Sequence, residues 1–460
     1  MSNEPFDAIV IGAGLAGLCC AAELVLQGAR PLLICETSEV GAVYKSPTIG
    51  GNQAIMHHPS RQVGWGGGWW FGLTRALNIP VPMYPSFSAG HALIQGTGVI
   101  QEIPIANSAA SLVDAVVRML PMPIEELRPE LERVLHAGLT IPYEELARLH
   151  GVSMGEWLHD QRADEFATLI LLTLGGLIAE MSVEESRAHL SVYACLGLIR
   201  SYLCGESDLW AIRPNARDGL CIPLARAIEE RGGEVWRGRR VAHVTTGASH
   251  VGPVVLVDGT EITAPVIAMA GGNQRMGALL DPVPPEVQTC LAYEAEISPV
   301  TKLEEFSIFA VLDKEVDQHP RGFNFIIGPD LSLVQLNWSL QAVAPWTTDP
   351  GRYTLATEAL RSQEDIAKAG GREAVFDGML AVTEEMHPGY TDAIVDSVRM
   401  QYPTWQTPYT CGPKMPRSVD SVPGLYFVGE GSTPTCGMYM EGAASAGILG
   451  ARAIAAAART

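Results

Sequence analysis

Two kinds of hydrophobic pattern alternate along this chain. Near the start, an apolar run at residues 8–11 ends on Gly12, Gly14 and Gly17, an apolar stretch follows, and a second apolar run at 31–35 ends on Glu36. That order predicts strand, turn, helix and strand. From Asn107 to about Ser207 the texture becomes helical: "SAASLVDAVVRML", "PIEELRPELERVL", "YEELARLHGVSMGEWLHD" and "SVEESRAHLSVYACLGLIRSYL" each repeat apolar residues at i, i+3 and i+4, which predicts a helical insert. Next, "DGLCIPLARAIEERGGEVWRGRRVAHVTT" reads as a helix closed by Gly232 and Gly233 that feeds a strand around Val241. A hairpin through Asp258 and Gly259 and a buried strand at 266–270 follow. "VTKLEEFSIFAVLDKEV", "GFNFIIGP" and "LSLVQLNWSL" predict the sheet of a second domain, with a helix expected near 372–385. The chain closes with a buried strand at 425–428, Gly429, Glu430, a loop and a long alanine-rich helix.

Length and charge narrow the function classes. At 460 residues the chain exceeds one ordinary core, so two interleaved domains are expected. A net charge of −20 and a pI near 5.0, with no long Lys/Arg stretch, exclude nucleic acid and argue for a small-molecule partner. Nine cysteines, an odd number without CxxC spacing, fit reduced thiols and a cytoplasmic location. The first residues lack the basic segment and cleavage site of a signal peptide. The longest apolar run, at 166–179, is shorter than the ~20 residues that span a bilayer. It reads as a core helix, with peripheral membrane contact as the alternative. In "VGWGGGWWFGLTRALNIPV", Trp65, Trp69 and Trp70 fit either core packing or the wall of a pocket, and the neighbouring glycines allow close backbone approach.

The first thirty-six residues carry the most specific chemistry. In GxGxxG, Gly12 permits a tight turn, Gly14 lets backbone N–H groups approach a pyrophosphate, and Gly17 lets helix and strand pack closely. Glu36 stands where such a unit hydrogen-bonds a ribose 2′-hydroxyl, and an acid there disfavours a 2′-phosphate. FAD and NAD both remain open on these residues alone.

The N-terminal unit, the glycine-closed helix with its strand at Val241, and the closing "YFVGEGSTPTCGMYMEGAASAG" together resemble the FAD-dependent amine oxidase and phytoene desaturase superfamily. The final stretch looks most like monoamine oxidases. The resemblance implies a Rossmann-like FAD-binding domain over 1–100, 211–280 and 420–460, with an interleaved α+β substrate domain over 101–210 and 281–419 that contains the helical insert. It also implies that Gly429 and Glu430 contact the flavin ribityl chain and phosphate. Tyr439 would stand over the flavin ring, Met440 would offer its backbone N–H to flavin O2, and Glu441 would enter the first helical turn. A helix N-terminus there stabilises negative charge on a reduced flavin. Packing as a structural aromatic is the other reading of Tyr439.

Lys302, one of five lysines, resembles the amine oxidase lysine that holds a water near flavin N5. Neutralisation by Glu304 and Glu305 at a strand edge is the alternative. Two departures matter. The usual Gly-Gly-Arg after the ribose acid is replaced by "TSEVGAVYKSPTIGGNQ", and Cys411 lies nearer Glu430 than a flavin-anchoring cysteine would. Non-covalent FAD is therefore expected. His57 and His58 lack further ligands at metal-binding spacing, so no metal is expected. The reading is an FAD-dependent oxidoreductase acting on a small apolar or alicyclic substrate, by desaturation or dehydrogenation first and amine oxidation second, with dioxygen or a quinone-type carrier as electron acceptor. A redox-neutral isomerase or hydratase and a non-catalytic FAD-binding module are the rivals.

Overall fold

Five short strands form a parallel sheet in the order Glu234–Trp236, Pro31–Ile34, Ala8–Ile11, Ile267–Met269, Leu425–Phe427. Their sequences are runs of aliphatic residues because the inner strands are buried on both faces. This computed structural model describes residues 5–458 apart from 45, 47, 51, 54–59, 63–67, 86–88, 95–98, 104–109, 115–127, 180, 201–206, 248–249, 302, 318–321, 329–332, 341–343, 404–408, 433–436 and 438. The expected hairpin is present, with Val251–Leu256 antiparallel to Glu261–Ile262 and to Val241–Thr246.

Another sheet has seven strands among the described residues, ordered Ile394–Pro403, Glu304–Leu312, Tyr353–Arg361, Leu333–Ser339, Gly322–Ile327, Ala89–Ile94, Val99–Ile103. One face packs Phe309, Val311, Trp338 and Ala356 with Ile49 of the N-terminal segment. The opposite face packs Phe306, Ile308 and Ala359 against Val375, Phe376 and Met379 of the helix Arg372–Met386. The last two strands depart from the division expected at residue 100. Residues 89–103 pair into this sheet, because Ala89–Ile94 adds in parallel register to Gly322–Ile327.

The insert is helical, but its long periodic stretches are broken. "YEELARLHGVSMGEWLHD" folds as Tyr143–Arg148, a 3-10 turn and Met154–Asp160. The restart is set by Ser153, whose side chain accepts from the N–H of Glu156 while Glu156 reaches back to the N–H of Ser153. Ser182 and Glu185 repeat this device, and Ser191 caps a further helix, Val192–Leu198, dividing the fourth stretch. The apolar run at 166–179 lies within the helix Glu165–Ala179 and contributes Ala167, Leu171 and Leu172 to the insert's core. Among the described residues, no helix is long and apolar enough to cross a membrane.

The helix Leu15–Leu26 is buried along nearly its whole length, and the C-terminal helix Tyr439–Ala457 packs along it. Gly447 makes the close approach. A Cβ there would lie 3.0 Å from the Cys20 nitrogen and would overlap the Ala16 carbonyl. Further along, Arg452 Nε donates to Glu23 Oε1 at 2.8 Å. Gly447→Leu is therefore expected to push the two helices apart and destabilise the protein by about 1–3 kcal/mol, the usual cost of overpacking. Chemical denaturation checks this, and an unchanged midpoint would show that the interface has slack.

Candidate active site

Ligands of open parallel sheets bind at the carboxyl ends of the strands. Here three glycine devices open that edge. Gly12 has φ +106°, its N–H donates to the Ile34 carbonyl at 3.0 Å, and a Cβ would overlap the Ala270 carbonyl. Gly14, the N-cap of the first helix, has nothing within 4 Å of the place of its Cβ, and the first helical turn contains no acidic residue. The space and the N–H groups suit an anionic pyrophosphate. Gly17 is closed in, because a Cβ there would overlap the Gly12 carbonyl and lie 3.1 Å from the Ala270 Cβ. The glycine turn is thus a cradle that side chains would fill, and FAD fits it.

Glu36 is exposed at the end of its strand and pairs with Arg275 and, at 3.5 Å, with Arg240 Nε. Exposed pairs of this kind contribute only about 0–1 kcal/mol, so ribose hydroxyls can compete for the carboxylate. Val241 begins its strand one residue after Arg240 and is buried. In the segment that replaces Gly-Gly-Arg, Gly41 (φ +62°) has no room for a side chain beside Cys221, and its N–H donates to the Ala13 carbonyl at 2.8 Å. Tyr44 is half-buried within electrostatic reach of Cys221 and Glu430, and burial raises its phenol well above the usual range.

The C-terminal strand supplies the other wall. A Cβ on Gly429 would lie 2.7 Å from the Gly271 carbonyl oxygen, so the close approach just beyond the ends of these two neighbouring parallel strands requires glycine. Glu430 turns its carboxyl toward the start of the C-terminal helix, where it accepts from the Tyr439 N–H and from the Tyr409 hydroxyl, the latter at 3.4 Å. Gly442 gives it space, since a Cβ there would lie 2.6 Å from Glu430 Oε1. Burial pushes the Glu430 carboxyl up to about 8 against these hydrogen bonds.

Tyr439 has φ +53°, a left-handed conformation uncommon for a residue with a side chain, and its ring centroid lies 5.4 Å from that of Tyr409 at 57°. Both rings contact the apolar core of the helical insert. Met440 is buried at 5% exposure in the first helical turn. Glu441 is fully buried, and its Oε1 accepts from the backbone N–H of Trp69, tying the helix start to the glycine- and tryptophan-rich segment. Trp70 is core, Trp69 is half-buried beneath Arg452, and Trp65 lies outside the described residues with Lys302, His57 and His58. Glu304, beside Lys302 in sequence, pairs with Arg372 at 3.5 Å and with Gln363.

The Glu430 neighbourhood contains groups that sequence reasoning did not single out: Tyr409, Tyr44, Glu294 and Lys414. Lys414 is within electrostatic reach of Glu294, Cys411, Glu430 and Cys290, and burial lowers its ammonium to about 7. The scarcity of lysine is the signal that could have found Lys414, but it points equally to Lys302. Cys411 is half-buried, its thiol faces the Ala188 carbonyl at 3.8 Å, and burial holds its pKa up.

Comparison with known proteins agrees with this geometry. Residues 7–63 match the family model described as FAD binding domain. Among curated protein sequences, none matches the chain. Solved structures similar in fold include an oxidoreductase from Methanosarcina mazei (TM-score 0.68, 16% identity, covering 97% of this chain and 99% of that one). Wild-type putrescine oxidase bound to putrescine has a TM-score of 0.67 at 15% identity, over 99% of this chain and 100% of that one. Cyclohexylamine oxidase from Brevibacterium oxydans has a TM-score of 0.63 at 16% identity, over 99% and 100%.

Gly12→Val is expected to abolish FAD retention through gel filtration while the circular dichroism stays native, because the side chain would enter the turn beside Ala270. Retained FAD would mean that the turn is not the pyrophosphate seat. The glycine cradle and the matching N-terminal segment identify an FAD-binding domain at the start of the chain, and the whole chain shares its fold with solved oxidoreductases, amine oxidases among them, at 15–16% identity.

Proposed function

We propose that this oxidoreductase removes hydride from a C–H bond of a small apolar or alicyclic substrate held against Tyr439 and Tyr409. The observation that carries the reading is the tyrosine pair, centroids 5.4 Å apart, at the start of the C-terminal helix and backed by the apolar core of the insert. When bound, FAD supplies the electron sink for such a transfer, and dioxygen or a quinone-type carrier would take the electrons onward. The protein's contribution is placement. The Tyr439 ring is held by an unusual backbone turn and the Tyr409 hydroxyl by Glu430, so substrate meets rigid walls. The non-covalent cofactor would rest on Gly12, Gly14, Gly17, Glu36, Val241, Gly429, Glu430 and the Met440 N–H. A raised, half-buried Cys411 thiol supports the non-covalent reading, since the thiolate is the reactive form.

Amine oxidation is the second reading. It is supported by the two fold neighbours whose names are amine oxidases, and by two aromatic faces able to attract an ammonium group. Peripheral membrane contact has one local support, the exposed Leu169 on the helix Glu165–Ala179.

Tyr439→Ala is expected to keep FAD bound and to slow anaerobic flavin reduction by about tenfold to a hundredfold, the scale of relaxed reactant orientation. Stopped-flow bleaching with alicyclic hydrocarbon and amine panels measures this and separates the two readings. Product without flavin bleaching would instead indicate a redox-neutral isomerase or hydratase. Wild-type rates in the variant would return Tyr439 to a packing role.

A further inference from the structure

A row of buried polar side chains crosses the seven-stranded sheet on the face that packs the helix Arg372–Met386, where the neighbouring contacts are apolar. Asn324, Asn337 and Thr357 stand directly opposite one another on three adjacent strands, and Gln335, two residues before Asn337, points to the same face. Asn324, Asn337 and Thr357 are fully buried, and Gln335 is 1% exposed. The proposed hydride transfer uses none of them.

Hydrogen-bond chemistry fixes which way each amide points. The Thr383 hydroxyl gives its single proton to the Met379 carbonyl at 2.9 Å, so toward Gln335 it can only accept, and it does so from Nε2 at 2.9 Å. Nε2 also donates to Asn337 Oδ1 at 3.3 Å, which sets the Asn337 amide with Nδ2 on the other side. Asp317 presents its two carboxyl oxygens to Asn324 Nδ2, each at 3.3 Å, which leaves Asn324 Oδ1 facing away from Asp317. Three buried atoms then have no partner among the described residues: the donor Asn337 Nδ2 and the acceptors Asn324 Oδ1 and Gln335 Oε1. At the end of the row the Thr357 and Tyr390 hydroxyls adjoin each other without a well-formed hydrogen bond.

We propose that this row is a binding site for buried water, in which one molecule accepts from Asn337 Nδ2 and donates to Asn324 Oδ1 and Gln335 Oε1. A buried amide group without a partner carries its full desolvation cost, and three together rival the net stability of a domain. Water removes that cost. It both accepts and donates, and buried waters make about three hydrogen bonds each, which matches one donor and two acceptors. A cation does not suit the site, because the Asn337 amide turns N–H groups into it. Burial excludes a larger guest, since the sheet and the helix leave these side chains 0–1% exposed. The water joins the strand Gly322–Ile327 to the strand Leu333–Ser339 and, through Gln335 and Thr383, to the helix Arg372–Met386.

A high-resolution crystal structure of the whole chain tests this. An ordered water within hydrogen-bond distance of both Asn337 Nδ2 and Asn324 Oδ1 is expected. A row without that water, or with the two amides turned to bond each other directly, overturns the proposal. In solution, oxygen-17 relaxation dispersion counts water molecules that stay trapped for longer than the protein takes to tumble. Asn337→Leu removes the donor and fills its space, so it should lose a trapped water that the wild type holds. Asn324→Leu removes the acceptor on the opposite strand and should lose the same signal, which keeps the measurement decisive if leucine at 337 prevents folding. An unchanged count in a folded variant overturns the proposal. Neither measurement involves the cofactor, so the outcome is independent of whether FAD binds.

Discussion

Everything at the strand edge depends on how closely the C-terminal helix lies on the first helix. The contact is made where Gly447 meets the backbone at Ala16 and Cys20, with no side chain between them. That approach fixes the start of the later helix relative to the glycine turn that starts the earlier one. Two helix N-termini then lie at one strand edge, one suited to a pyrophosphate and the other, in the proposed reading, to charge on a flavin ring. Glu441 locks the arrangement from the side, because its buried carboxylate holds the start of the helix Trp69–Ala76 through the Trp69 N–H.

The same edge concentrates charge that has little solvent to shield it. Glu430 serves two elements at once, receiving the first N–H of the C-terminal helix and the hydroxyl of Tyr409. In the proposed reading it would link cofactor seat to substrate wall, because a change in its charge acts on the helix start and on the tyrosine pair together. Lys414 and Glu294 put this carboxyl within a cluster rather than an isolated pair. At the outer end of the cleft the balance differs, since Glu36 is exposed, meets two arginines, and is screened by water.

Local devices were legible in the sequence where one short segment determines them. The glycine turn, Glu36, the hairpin at Asp258 and Gly259, and the strand before Gly429 all follow from neighbours within a few residues. Ser153 and Ser182, each three residues before a glutamate, were also readable as helix starts, but the surrounding periodicity concealed the breaks. Tertiary assembly was less accessible. That residues 89–103 join the large sheet depends on a parallel pairing with residues more than two hundred positions away. The meeting of Tyr409 with Tyr439, and of Lys414 with Glu294 and Glu430, likewise depends on long-range packing that no local spacing encodes.

The central claim is that the start of the C-terminal helix, held by Glu430 and Glu441, is the seat of the flavin ring. A crystal structure of the FAD complex measures this directly. The account predicts the Met440 N–H within hydrogen-bond distance of flavin O2, the pyrophosphate on the N–H groups after Gly12, and the two tyrosine rings facing the isoalloxazine. An isoalloxazine ring bound away from Tyr439 and Met440, with the helix start covered by protein alone, would contradict it.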